Sequence, residues 1–288
     1  MNATTDDHVH LSLSEAHDSD ARWAFGTGFE DPLHGVDTAV PTGVDTTELA
    51  GVCVALGDDA LVSAQRLAQW VTYAPELEEE VAFANIGIDL LGQARLLYSR
   101  AGQVDGNGWG EDSYAYFRDA ADFRNVTAAE LPNGDFAFSV VRLLILSSWR
   151  LSLFQRLATS APDPVLAAIA AKGVNELTYH RQFAADWTVR LGDGTSESHR
   201  RTRGALEDLA SDLPELFAWS PGFGISAADI EREVTDVLSQ VLRSATLPVP
   251  EVEAPPARCG RDGAHTVHLG PLLAELQSVA REHPEGVW

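Results

Sequence analysis

Apolar residues recur at every third or fourth position through four long stretches of the chain, separated by short proline or glycine stops. Leu49, Val52, Leu56, Leu61, Ala64, Leu67, Ala68 and Val71 mark a first helix from Thr46, with a kink or break expected at Gly57. Ala74-Pro75 stops it, because the residue before a proline is pushed out of the α region. Leu77, Val81, Ala84, Ile88 and Leu91 then mark a second helix over 77–101, whose apolar face belongs against a core. At a rise of about 1.5 Å per residue it is nearly 40 Å long. Its second face carries Asn85, Asp89, Gly92, Gln93 and Leu96, neither wholly apolar nor wholly charged.

Residues 103–134 are rich in turn formers, with short helical pieces around 113–123 and 128–131. A connection of about 32 residues far exceeds the usual link between neighbouring bundle helices, and suits a chain returning from one end of a bundle to the other. Asp135 is the expected N-cap of a third helix, DFAFSVVRLLILSSWRLSLFQRLAT, apolar on most of its circumference. Asp163-Pro164 caps a fourth, running to Gly192. Two antiparallel hairpins joined by one long crossover between the second and third helices define an all-α, ferritin-like four-helix bundle. Additional C-terminal helices follow: one from a Thr195 cap to about Leu213, one behind Ser226 and Asp229, and a last one over about 272–283. Pro248, Pro250, Pro255 and Pro256 make 246–257 an extended strap.

Composition narrows the function. The net charge is −23, from 43 acidic and 20 basic residues, and it repels nucleic acid and anionic membrane surfaces. The longest apolar run is broken by Arg142 and Arg150, so no membrane span is expected, and the N-terminus has no secretory leader pattern. Cys53 and Cys259 are far apart, which suggests neither a disulfide framework nor a thiolate metal site and fits a cytoplasmic protein. Residues 1–46 are read as an acidic, disordered or loosely docked extension, in which His8, His10, His17 and His34 are solvated. The globular domain is 47–288.

A ferritin-like bundle that holds two irons takes a carboxylate from each of two helices and a Glu-x-x-His pair from each of the other two. No Glu-x-x-His occurs in the four long helices. The second helix offers Asp89 and Gln93, and the third offers Ser147 and Ser148 with no acid between Asp135 and Asp163. The fourth offers Glu176 and His180, which share a face at a spacing of four, with Lys172 one turn earlier. A Lys172, Glu176, His180 ladder reads as an ion-pair and hydrogen-bond network. Asp89, Gln93, Ser147, Glu176 and His180 are therefore the candidates for a degenerate site. His265 and His268 are expected to serve packing rather than metal. No phosphate-loop, dinucleotide-binding or nucleophile-elbow motif is present.

Four segments, APELEEEVAFANIGIDLLGQARLLY (74–98), NGDFAFSVVR (133–142), YHRQFAADWTVRLGDGT (179–195) and HTVHLGPLLAELQ (265–277), resemble the C subunits of bacterial multicomponent phenylacetyl-CoA epoxidases. The resemblance covers about Leu49 to Trp288. It implies a ferritin-like fold and a place in aerobic phenylacetate breakdown, where the complex forms the ring 1,2-epoxide. It also implies two partners: a homologous catalytic subunit that holds the di-iron centre and the CoA thioester, and a reductase that draws on NADPH, flavin and an iron-sulfur cluster. Leu90 and Gln93 fall where the catalytic relative has a Glu and a His, and Ser147 falls near a carboxylate position. The resemblance thus implies a structural, non-catalytic subunit of a hetero-oligomer that binds no cofactor itself. The alternative is an active di-iron oxygenase using Asp89, Glu176 and His180.

Overall fold

A computed structural model describes residues 33, 35–250 and 259–286. Most of the acidic extension, with His8, His10, His17 and His34, and the Pro255-Pro256 part of the strap lie outside the described residues. Those described are helical, with no strand among them: α1 Thr46–Ala68, α2 Leu77–Asp105, α3 Glu111–Tyr116, α4 Thr127–Glu130, α5 Phe136–Ser160, α6 Pro164–Gly192, α7 Ser196–Leu209, α8 Leu213–Ala218, α9 Ala227–Ser244 and α10 Leu269–Glu282. The long helices pack as the hairpins α1/α2 and α5/α6, with α2 also against α6.

Helix starts follow from caps. Asp45, Asp135, Asp163, Thr195 and Ser226 each accept from a backbone N–H of the first turn, taking up donors that the helix leaves without partners. Asp163 does more than cap: its carboxylate is buried and receives the Arg100 guanidinium of α2, Nε at 3.1 Å, which ties the second hairpin to the first.

Gly57, where a kink or break is expected, and Gly102, just past the expected end of the second helix, are close-approach points inside helices, and Gly106 is a true end. α1 runs unbroken through Gly57, where an added Cβ would sit 2.6 Å from the Tyr98 ring. α2 continues past Gly102, where the Trp109 carbonyl oxygen would be 1.9 Å from a Cβ, and it ends only before Gly106 at φ +71°. α1 stops at Ala68, earlier than Ala74-Pro75, in a turn that puts Thr72 at φ +72°.

The crossover between α2 and α5 is fastened to α1. Buried Asp58 accepts from the Tyr98 hydroxyl at 2.6 Å, the Arg124 N–H at 2.7 Å and the Arg118 guanidinium. Asp59 accepts from the Val126 N–H at 2.8 Å and from Arg261 at 2.6 Å. Asp58 and Asp59 therefore sit mid-helix and structural, not at a break. Segment 35–45, expected to be at most loosely docked, is attached: Val36, Val40 and Val44 pack on the core, and Arg100 Nη1 donates to the Thr38 carbonyl at 2.8 Å.

α5 is long and apolar enough to cross a membrane, but 83% of its most apolar window is buried inside the protein, as befits a core helix. α2 shows the largest departure from expectation. Leu77, Val81, Ile88 and Leu91 are exposed, and the face in the core is Phe83, Ile86, Leu90, Ala94, Leu97 and Tyr98. Both stripes have helical spacing. The inward one carries the aromatic rings, so turning it inward removes more apolar area from water.

Candidate site in the bundle interior

Four helices aim polar side chains at the middle of the bundle: α1 through Asp59 and the Leu56 carbonyl, α2 through Asp89 and Gln93, α5 through Ser147 and Arg150, and α6 through Lys172, Glu176 and His180. Their spacing explains why they meet. Gln93 lies on the buried side of α2 one turn after Leu90, and His180 is buried one turn after Leu177 on α6.

Gln93 is the hub. Its amide nitrogen donates to Glu176 Oε2 at 2.8 Å, and its carbonyl oxygen accepts from Arg150 Nε at 2.9 Å. Arg150 also donates from Nη1 to the Leu56 carbonyl at 3.0 Å and lies 4.4 Å over the Phe154 ring. Its nearest carboxylate is Asp59, at 4.0 Å. Burial pulls the Arg150 guanidinium down to about 10; Asp59 opposes that shift and Arg261 adds to it. Glu176 is held on its other oxygen by the Lys172 ammonium. His180 Nε2 lies 3.0 Å from Asp89 Oδ2.

The expected ladder along α6 is therefore formed only at its first rung. Glu176 and His180 each turn to a different residue of α2 rather than to one another, since side chains four apart on one helix reach across to a neighbour whose own positions repeat in step. Asp89 joins His180, and Gln93 joins Glu176. Ser147 takes part in neither pair: its hydroxyl faces back to the Leu144 carbonyl of its own helix at 3.4 Å. One turn further along α5, Arg150 reaches the interior in its place. Sequence reading missed Arg150, whose signal was an arginine in the middle of an apolar helix.

A cavity of about 40 Å³ adjoins the network, lined among others by Arg142, Ser147, Arg150, Leu177 and His180. Arg150 Nη2 and His180 Nδ1 have no hydrogen-bond partner among the described residues, although both are buried. Arg142 is held by the Leu131 carbonyl and the Asn133 side chain, and burial, with Arg66 adding, pulls its guanidinium down to about 9.

This donor set does not fit a pair of irons. Two such cations need several anionic oxygens and imidazoles converging on them, whereas here a guanidinium and an ammonium already occupy the carboxylates' neighbourhood. Among the described residues no three His, Cys, Asp or Glu side chains cluster in a way that holds a metal. His265 bonds to the Phe123 carbonyl at 2.9 Å and lies 3.3 Å from buried Glu130, a packing and ion-pair role. Cys53 and Cys259 are free; Cys53 is fully buried, and burial, with Asp163 beside it, pushes its thiol up to about 12.

The fold defines a helical bundle with a ferritin-like order of hairpins, in whose interior Arg150 bonds to Gln93 and Lys172 to Glu176. The profile of a family described as "Phenylacetic acid catabolic protein" matches residues 35–288, starting earlier than the resemblance at about Leu49 and taking in the docked segment 35–45. The chain is 39% identical over 249 residues to the C subunit of the 1,2-phenylacetyl-CoA epoxidase of Escherichia coli K12, covering 84% of this chain and 99% of that protein. The chain belongs to the phenylacetic acid catabolic protein family.

Proposed function

We propose that this chain is a structural subunit of a multicomponent phenylacetyl-CoA 1,2-epoxidase, acting in the cytoplasm in aerobic phenylacetate catabolism. It pairs with a homologous di-iron catalytic subunit and supports it. In this reading the chain binds no cofactor; iron belongs to the catalytic partner, and NADPH, flavin and the iron-sulfur cluster to the reductase. The observation that carries it is Arg150, whose guanidinium bonds to Gln93 in the space between the four helices where metal ligands would converge. A buried cation there repels metal ions.

The rival reading, an active oxygenase with Asp89, Glu176 and His180 as ligands, rests on their closeness in space. Substituting Asp89→Asn, Glu176→Gln and His180→Gln together in the assembled complex distinguishes the two. The structural reading expects epoxide formation to continue at an undiminished rate in complex that elutes intact. Loss of turnover in an intact complex would favour the rival.

A further inference from the structure

The outward face of α2 is an apolar seam that no partner covers among the described residues. Leu77, Val81, Ile88 and Leu91 are 69%, 50%, 66% and 41% exposed, while the opposite side of the same helix is buried in the core. With half-buried Ala84 between them, they are spaced four, three, four and three residues apart, the repeat of a coiled-coil seam rather than of a solvated face. Tyr73, in the turn just before the helix, is 77% exposed as well. Tyr179, also exposed, borders it from α6: Asp89 beside Ile88 bonds to His180 beside Tyr179. Gly92, next to Leu91, lets a second helix backbone come near, since nothing lies within 4 Å of a Cβ built on it. Isolated exposed apolar residues are ordinary, but a contiguous periodic row is an interaction surface.

We propose that this seam docks a long helix of a sister subunit of the complex, one that presents an apolar heptad row of its own with basic side chains at the end that meets Glu76, Glu78 and Glu80. The inference rests on the reading of the chain as a structural subunit. The spacing selects a helix as occupant, because a seam with a period of 3.5 residues stays in register only against another helix crossing at a shallow angle. Charge selects a chain of different sequence. Glu76, Glu78 and Glu80 make no ion pair among the described residues, and a second copy of this chain would bring another −23 to the contact. The seam from Leu77 to Leu91 is about 21 Å long at 1.5 Å per residue, four turns of helix against helix.

The test uses the full-length chain and the purified catalytic di-iron subunit, with binding measured by titration calorimetry and size exclusion. Val81→Glu with Ile88→Glu places two charges in the seam, and Ile88→Leu keeps it apolar. Both variants are expected to unfold near the wild-type urea concentration, since the replaced side chains are half or more exposed. The double variant is expected to bind about 100-fold or more weakly, as removal of central contacts does, and Ile88→Leu to bind as wild type. A folded double variant that binds with wild-type affinity overturns the assignment of this face and leaves the structural-subunit reading standing. So does a wild-type chain that dimerises with itself and becomes monomeric in the double variant. Failure of the wild-type chain to bind the catalytic subunit at all overturns both.

Discussion

Replacing Asp163 probes how the two hairpins are held together. Its carboxylate has two duties: it caps α6 by accepting from the Leu166 N–H at 2.8 Å, and its two oxygens accept from Nε and Nη2 along one edge of the Arg100 guanidinium inside the protein, where both side chains are essentially inaccessible. Asp163→Ala removes the cap, at about 1 kcal/mol. It also leaves a buried guanidinium without its counter-ion, at about 3–5 kcal/mol. Together they amount to about 4–6 kcal/mol, a large part of the roughly 5–15 kcal/mol that holds a domain folded. With a urea dependence of about 2–3 kcal/mol per molar, the unfolding midpoint should fall by about 2 M. Asp163→Asn keeps an acceptor for Leu166 and should fall between alanine and wild type. The coupling is the decisive part. In Arg100→Met with Asp163→Asn no unpaired charge remains, so the pair should be less destabilised than the sum of its single variants by more than about 1 kcal/mol. Strict additivity would refute the reasoning, because it would mean that the two ions do not sense each other.

Other outcomes follow from the packing and the charges. Gly57→Ala and Gly173→Ala should each lose about 1–2 kcal/mol despite alanine's helix preference, because their Cβ atoms would meet Tyr98 and Phe154 ring carbons at 2.6 Å; Gly51→Ala, exposed in α1 with nothing within 4 Å, should gain about 0.5–1 kcal/mol in the same urea titration. For His265, burial disfavours the charge, but the Glu130 carboxylate and the Phe123 carbonyl outweigh it, and Arg124 opposes, so its pKa is raised above 6.5. The stability this gives is complete below about pH 6.5 and is lost as pH rises through the raised folded value; His265→Gln should flatten that stretch of the stability-against-pH curve. Arg150→Met should cost no more than about 3 kcal/mol in urea unfolding: two charge-assisted hydrogen bonds at about 1.5–3 kcal/mol each are lost, while a net cost of about 3 kcal/mol for holding the charge inside, corresponding to the fall of its guanidinium to about 10 under burial and its neighbouring charges, is relieved.

The order of helices and their starts could be read directly from the chain, because Asp135, Asp163-Pro164, Thr195 and Ser226 act locally and a cap needs only its own first turn. The facing of α2 could not. Its stripes at 77, 81, 84, 88, 91 and at 83, 86, 90, 94, 97 have nearly the same period, and the choice is made by what α1 and α6 bring to the contact. Gly57 and Gly102 looked like stops for a related reason: the sequence shows a missing side chain but not the Tyr98 ring or the Trp109 carbonyl that requires it. In the interior, residue types pointed to Asp89, Gln93, Glu176 and His180, and all four meet across α2 and α6. Which of them pair depends on helix register, which spacing along one helix does not fix. Ser147 was the right helix and one turn off, and Arg150 was hidden because an arginine in an apolar run reads as an interruption until its guanidinium is seen to end on Gln93 and Leu56.

The central claim is that this chain is the metal-free member of a pair. It is tested most directly by iron analysis of the chain purified alone and of the same chain co-purified with the catalytic subunit, expressed with ample iron. The account predicts no stoichiometric iron in the chain alone, and in the pair only as much as the catalytic subunit holds by itself. Stoichiometric di-iron in the chain alone, lost on substitution of Glu176 and His180, would contradict it.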